Sequence, residues 1–450
     1  MQSVLADVGR LPGLRAIVYD PKQDFVPILD SIVRGPGDEP GQLSTRIKIL
    51  NPFDRRGVSW DIAADTKNPA IARQVAATLV PEDEGSASPF FARAAQDIAY
   101  GVILSFIEKR VAWTLRDLVL ALSTNQQVTK SILSLSPLNK NRVNSYFAAK
   151  NETNMSVWST IQTKISRFET IAAGFDRAKQ SISLHAWLKE STGSVLILRT
   201  NQAVREAIDD INAALFRRLS ELILDLPDES GANDMARTWV FMDEVRDAGK
   251  LEGLRPLLNM GRSKRCTVVL SFQDIEGLKS VYGEHEALEL TGQCGNKAIL
   301  RLEGPATAEW ASSLFGEERV VVTDTSSGVQ AGGGAQVSSG ESTRLVDRSR
   351  VLASTFLTLP NAGLENGVKG IAKRFDDADP YRFGLKPFPE IDPIYEPDER
   401  SRKKMWKPTA GVDQVNLRPD IEMFLTPWAP KDYDRLGIPQ PSPDSDEESS

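Results

Sequence analysis

Two adjacent carboxylates, Asp243 and Glu244, close the apolar run Thr238-Trp-Val-Phe-Met-Asp-Glu244. An apolar strand in a parallel sheet delivers its first polar residues to the carboxyl rim, so both acids would emerge there together. The first suits Mg²⁺ held through water, and the second suits orientation of an attacking water in phosphoryl transfer. This is the pattern of a Walker B element. Its partner, a Gly-x-x-x-x-Gly-Lys-Ser/Thr phosphate loop, occurs nowhere in the 450 residues. Transfer of a γ-phosphoryl group needs fixed positive charge from Mg²⁺, the loop lysine and backbone N–H groups. The acids are present and the cradle is not.

Elements that would carry such a rim follow from the apolar runs. Strands are predicted at Arg15–Asp20, Arg46–Leu50, Ser194–Arg199, Thr238–Met242, Cys266–Phe272 and Lys297–Leu302, separated by helical or long segments. That alternation implies an α/β parallel sheet. Asp20, Asn51, Thr200, Asp243 and Gln273 each follow an apolar run, and the expectation is that they converge on one crevice. For Asn51 and Thr200 the plainer reading, a polar residue where a strand enters a loop, is preferred. Lys22, after the Tyr-Asp-Pro turn, is a candidate for reaching nucleotide phosphate or DNA.

The chain opens with Met1, Val4, Leu5 and Val8 at helical spacing. A start at this point would leave out the first strand and its loop. Between Pro89 and about Phe175 the pattern is helical, with Ile98, Val102, Leu115, Leu118 and Leu122 in period and no strand. The expected organisation is 1–88 and 181–386 as two parts of one α/β domain, 89–180 as an all-α insertion, and 387–450 as a proline-rich acidic tail. The tail is expected to be disordered, and the glycine- and serine-rich stretch 324–343 to be a mobile loop. Lys140, Arg142 and Lys150, with Tyr146 and Phe147 interleaved, could contact nucleic acid through phosphates and stacking. More often such a segment is a helix with one apolar and one basic face.

Composition narrows the function classes. At 41% hydrophobic residues the chain can bury a large core. Two cysteines, Cys266 and Cys294, do not make a disulfide framework, and His185 and His285 are the only histidines for a zinc site. Metal binding here would be through oxygen. No stretch approaches the roughly 18 continuous apolar residues of a membrane span, and the start lacks a signal-peptide pattern. A net charge of −7 argues against a broadly basic surface, though not against a narrow basic channel.

The runs Ile17-Val-Tyr-Asp-Pro-Lys-Gln-Asp-Phe25, Ile49-Leu-Asn-Pro-Phe-Asp-Arg55 with Trp60, and Trp239–Glu244 resemble the cytoplasmic motor of type IV secretion coupling proteins, the conjugative ATPases of TraD type. Gly261-Arg262, the strand leading to Gln273, and Val281-Tyr-Gly-Glu284 extend the resemblance over roughly residues 15 to 375. It implies a RecA-like, P-loop NTPase-type parallel sheet, incomplete at the N-terminus, with the all-α domain inserted. It implies ATP and Mg²⁺ as cofactors and a homo-hexamer around a pore. The partners implied are single-stranded DNA, a relaxase and the components of the secretion channel. Membrane attachment would come only through an anchor lacking here, leaving the chain cytoplasmic as written. By resemblance Asp243 is the Mg²⁺-associated acid, Glu244 the catalytic acid, Gln273 a γ-phosphate sensor and Arg262 a residue near a subunit boundary. The phosphate-loop strand is central in RecA-like sheets, so its loss predicts two exposed inner strand edges and poor solubility. The alternatives are a non-catalytic substrate-docking module and another hexameric DNA pump.

Overall fold

The computed structural model describes residues 2–8, 10–82, 89–147, 152–200, 205–228, 237–330, 336–363, 367–375, 380–385 and 408–440. They divide into two compact units, residues 1–271 with 397–450, and residues 272–396.

The first unit is built on five parallel strands, β1 (Leu14–Asp20), β2 (Ile47–Leu50), β5 (Val195–Arg199), β6 (Arg237–Met242) and β7 (Cys266–Leu270), in the order β2-β5-β1-β6-β7. A minor parallel pair, β3 (Ser59–Trp60) and β4 (Ser181–Ile182), lies outside this sheet. Every residue of β1 and of β5 is buried, as strands covered on both faces must be. On one face Val26, Leu29 and Val33 of helix Val26–Val33 meet Ala16, Val18, Ile49 and Ile197 of the sheet. β1 is central and paired on both sides. β7 pairs only with β6 and keeps an open edge, and its Thr267 and Val269 are exposed.

Between Phe90 and Asp176 the described residues form six α-helices and no strand. Thr114 and Asp117 close a reciprocal capping box at the helix Leu115–Ser123, and Asn125 caps the next. Helix Phe90–Lys109 is long and apolar enough to cross a membrane, but 67% of its most apolar window is buried inside the protein. The helical region is joined to the sheet at Gly174, where a Cβ would come within 2.5 Å of the Pro52 carbonyl. Arg142 is turned inward, paired with Asp97 at 2.9 Å and stacked on Tyr100. It therefore makes no basic face with Lys140, and Lys150 lies outside the described residues.

Residues 408–440 correct the expectation of a disordered tail. Arg418 donates to the Pro52 carbonyl at 2.8 Å, and Trp428 donates to the buried Asp117 at 2.9 Å. Arg435 pairs with the same carboxylate, and Leu436 is fully buried. Charged and proline-rich composition reads as solvated, yet here the charges are anchors whose partners lie some 300 positions away.

The second unit packs helices around Phe315, Phe356 and Ile371. Here β8 (Lys297–Ile299) pairs antiparallel with β11 (Val368–Lys373), which also pairs with β12 (Tyr381–Leu385). The expected sixth parallel strand is thus part of a separate sheet, because an apolar run specifies burial and not a partner. Of the stretch 324–343 expected to be a mobile loop, residues 324–330 and 336–343 belong to a long antiparallel ribbon, β9 (Glu317–Gln330) and β10 (Gln336–Ser349), in register from Glu317–Ser349 to Gln330–Gln336, and residues 331–335 lie outside the described residues. β-Branched residues such as Val320, Val322 and Thr343 favour that extended pairing.

Candidate functional site

Asp243 and Glu244 leave the sheet directly after β6, and neighbouring Ser271 leaves it after β7. Ser271 N–H donates to the Met242 carbonyl at 3.0 Å and its carbonyl accepts from Val245 N–H at 2.9 Å. Its hydroxyl donates to Asp243 Oδ1 at 3.0 Å and accepts from the Glu244 N–H at 3.2 Å. Both acids are half-buried. Glu244 sits in the left-handed region at φ 56°, ψ 68°, a conformation costing a non-glycine residue roughly 1–2 kcal/mol. Gln23, Arg110 and Arg265 also take positive φ elsewhere in the chain.

The segment after the acids is pinned from two sides. Tyr19 donates its hydroxyl to the Asp247 carbonyl at 2.9 Å, and Arg205 reaches the same carbonyl at 3.0 Å while pairing with Asp209 at 3.1 Å. The acids are thereby anchored to β1 and to helix Arg205–Leu224. Beside them an interior cluster is closed to ligand. Arg199 lies fully buried between Asp20, at 3.2 Å, and Asp54, at 3.4 Å. The Asp20 carboxylate is thus spent on Arg199 rather than offered to a nucleotide, correcting its expected role. Asn51 accepts from Phe53 N–H in a local turn, and Thr200 is buried, as the plainer reading has it.

Burial pushes the Asp20 carboxyl up to about 6 from 3.8, against the pull of Arg199. Burial likewise pushes Arg199 down, against Asp20 and Asp54. A carboxyl raised in the folded state binds its proton more tightly there than in the unfolded chain. Its contribution to stability is complete below pH 3.8 and is lost as pH rises through about 6. The loss is worth about 3 kcal/mol. Urea midpoints are therefore expected to fall between pH 4 and 6, and Asp20→Asn is expected to flatten that part of the profile. An unchanged slope in the variant would assign the pH dependence to other groups.

The other expected residues are placed as follows. Lys22 is exposed in the turn after β1, and Gln273 is exposed at the start of the second unit. Arg262 is exposed on the amino-terminal side of β7. Register aligns Thr238 with Cys266 and Met242 with Leu270, so Arg262 and Asp243 stand at opposite ends of the sheet, about 16 Å apart along five residues. They do not meet within one chain.

Ser271 carried no sequence signal beyond following an apolar strand. Arg199 carried one: an arginine ending a wholly buried strand demands a carboxylate, and Asp20 ends the neighbouring strand. For Mg²⁺ the donors fit in part. A half-buried carboxylate steadied by a hydroxyl suits a cation held through water, and no group of three or more His, Cys, Asp or Glu ligands occurs among the described residues.

A family model described as the type IV secretion-system coupling protein DNA-binding domain matches residues 1–384. Coupling protein TraD of Escherichia coli (strain K12) is 22% identical over 340 residues, 70% of this chain and 41% of that protein. The chain thus spans about two fifths of the length of this curated relative. The unbound bacterial conjugative coupling protein TrwB superposes with a TM-score of 0.62 at 20% identity, covering 83% of this chain and 78% of that one. TrwB in complex with ADP and Mg²⁺ gives 0.59 at 19% identity, covering 83% and 85%. The parallel sheet with its helical insertion is the fold these structures share, and the family match spans most of the sequence: the chain belongs to the type IV secretion-system coupling proteins.

Proposed function

We propose that the chain is the cytoplasmic motor part of a coupling-protein subunit. It uses ATP to bind and move single-stranded DNA, with its attached relaxase, to a type IV secretion channel during conjugation. The observation that carries the reading is the Asp243–Glu244 pair, set at the rim by the Ser271 hydroxyl and by the left-handed backbone of Glu244. Bound Mg²⁺ would supply charge neutralisation for phosphoryl transfer. Asp243 would hold that cation through water, and Glu244 would orient the attacking water. Gln273 would sense the γ-phosphate, and Lys22 would offer an exposed cation to phosphate. Because Arg262 lies at the far end of its own sheet, it would act only on a neighbouring protomer of a homo-hexamer. The subunit would work at the cytoplasmic face of the inner membrane.

A second reading is a substrate-docking module without turnover of its own. Titration with a fluorescent ATP analogue, with and without Mg²⁺, tests the first. Weak binding strengthened by Mg²⁺ and lost in Asp243→Asn is expected, with little or no ATP turnover by this chain alone. Binding indifferent to both Mg²⁺ and Asp243→Asn would overturn the motor reading and leave the docking module. Brisk turnover that vanishes in Glu244→Gln would show that the site needs no separate cradle.

A further inference from the structure

A second polar site lies on the opposite flank of the sheet, along the outer side of β2. There a cavity of about 440 Å³ is lined by Lys48, Arg55, Arg56 and Lys179, with Asp413 as its one carboxylate. An adjoining cavity of about 320 Å³ shares Thr45 and Lys48 with it, so the two form one groove on either side of Lys48. β2 is three strand spacings of about 4.8 Å from β6, well separated from Asp243.

The walls are built rather than incidental. Arg56 pairs with the buried Asp54 at 2.6 Å and donates to the Asp413 and Gln414 carbonyls, so its guanidinium is fixed before any ligand arrives. The Arg55 N–H donates to the Asn416 carbonyl at 2.8 Å. Its half-exposed guanidinium meets Glu422 at 3.3 Å. Gly41 and Gly411 both take positive φ, and a Cβ on Gly411 would stand 3.0 Å from the Gly41 Cα. Two loops meet there at a distance only glycine permits, and the returning 411–416 segment becomes one wall. Asp38 holds the opposite loop. Although burial alone would raise its carboxyl, bonds from Ser44, Gly35 and Thr45 keep it at about 2. Against this frame the Lys48 and Lys179 ammonium groups have no hydrogen bond or ion pair to any described residue.

The larger cavity, of nucleotide size, has Lys48, Lys179, Arg55 and Arg56 against Asp413, with Arg56 paired to Asp54 and Arg55 to Glu422; the adjoining one adds Arg46 with Asp38 and Glu190. The Lys48 and Lys179 ammonium groups, unpaired among the described residues and beside the fixed Arg56 guanidinium, are what favour an anion. We propose that this groove binds phosphate groups, on a nucleic-acid strand or on a free nucleotide. With a nucleic-acid strand the site rests on the DNA-handling part of the function proposed above; with a free nucleotide it is independent of it.

The test uses Lys48→Gln/Lys179→Gln, and the same pair with Arg55→Gln, all sparing the structural Arg56. Retention of the wild-type melting temperature shows that each is folded. Binding of labelled oligo-dT is followed by anisotropy between 50 and 200 mM salt, and binding of pyrophosphate by thermal shift without Mg²⁺. If the phosphates are those of a nucleic acid, the triple variant should bind oligo-dT at least about tenfold more weakly, with a salt slope shallower by about 2. If they are those of a free nucleotide, the pyrophosphate shift should disappear while oligo-dT binding stands. Unchanged response to both probes overturns the proposal. The motor reading fails on the Asp243→Asn titration with Mg²⁺ described above, and this one on the lysine and arginine variants without Mg²⁺, so the two failures are told apart.

Discussion

A chain ending at residue 407 is expected to melt at least about 10 °C below one ending at Gln440. The difference is the segment 408–440, which places Val412, Trp428, Leu436 and Ile438 in the interior of the first unit. Burying each contributes about 1.5–3 kcal/mol, an upper estimate because unfolded chains are already partly compact. The sum, roughly 6–12 kcal/mol, is comparable with the whole stability of a typical domain. Polar terms add to it. Without the segment Arg199 loses its bond to the Gln414 carbonyl, and the fully buried Asp117 loses both Trp428 and Arg435. A buried carboxylate stripped of charged partners costs several kcal/mol. Trp428→Ala in the longer chain should reproduce about 3–5 kcal/mol of the loss. Coincident melting curves for the two chain lengths would mean that the segment rests on the surface without stabilising it.

The sheet was legible because interior parallel strands are apolar on both faces. Ala16–Tyr19 and Val195–Leu198 could hardly be anything else, and the acids after Met242 followed from the same logic. What stayed hidden depends on partners distant in sequence. Lys297–Ile299 looks like the other strands, but only Ile371 and Ala372 decide where it pairs. Glycine and serine in 324–343 masked a ribbon whose alternation shows once Val321 is set opposite Leu345. In 408–440 the composition pointed to solvent because arginine and proline are usually exposed. Arg418, Arg435 and Trp428 are anchors only if carbonyls and carboxylates elsewhere are positioned to receive them. At the candidate site the two acids could be named, whereas the backbone twist at Glu244 and the Ser271 hydroxyl depend on strand register. Register also separates Arg262 from Asp243, though linear order places them only 19 positions apart.

Replacement of Arg199 by methionine should cost about 3–5 kcal/mol, and a second replacement, Asp20→Asn, should recover more than half of it. Arg199 is the only cation paired with Asp20 among the described residues, whereas Asp54 also holds Arg56 at 2.6 Å. Removing the guanidinium therefore orphans one carboxylate and not two. Methionine fills a similar volume, so the loss reports charge more than packing. The single variant should also be less impaired at pH 5 than at pH 8. Asp20 already titrates near 6 beside its partner, and a buried carboxyl without a cation takes up its proton more readily still. Acid relieves the unpaired charge; alkali restores it. Arg199→Lys is expected to fare little better than methionine. One ammonium cannot span Asp20, Asp54 and the Gln23 and Gln414 carbonyls that the planar guanidinium reaches at once. Urea denaturation of the three variants at both pH values decides the matter. A double variant no more stable than Arg199→Met, or a single variant indifferent to pH, would show that Arg199 acts by filling space and bonding carbonyls, with no electrostatic debt to Asp20.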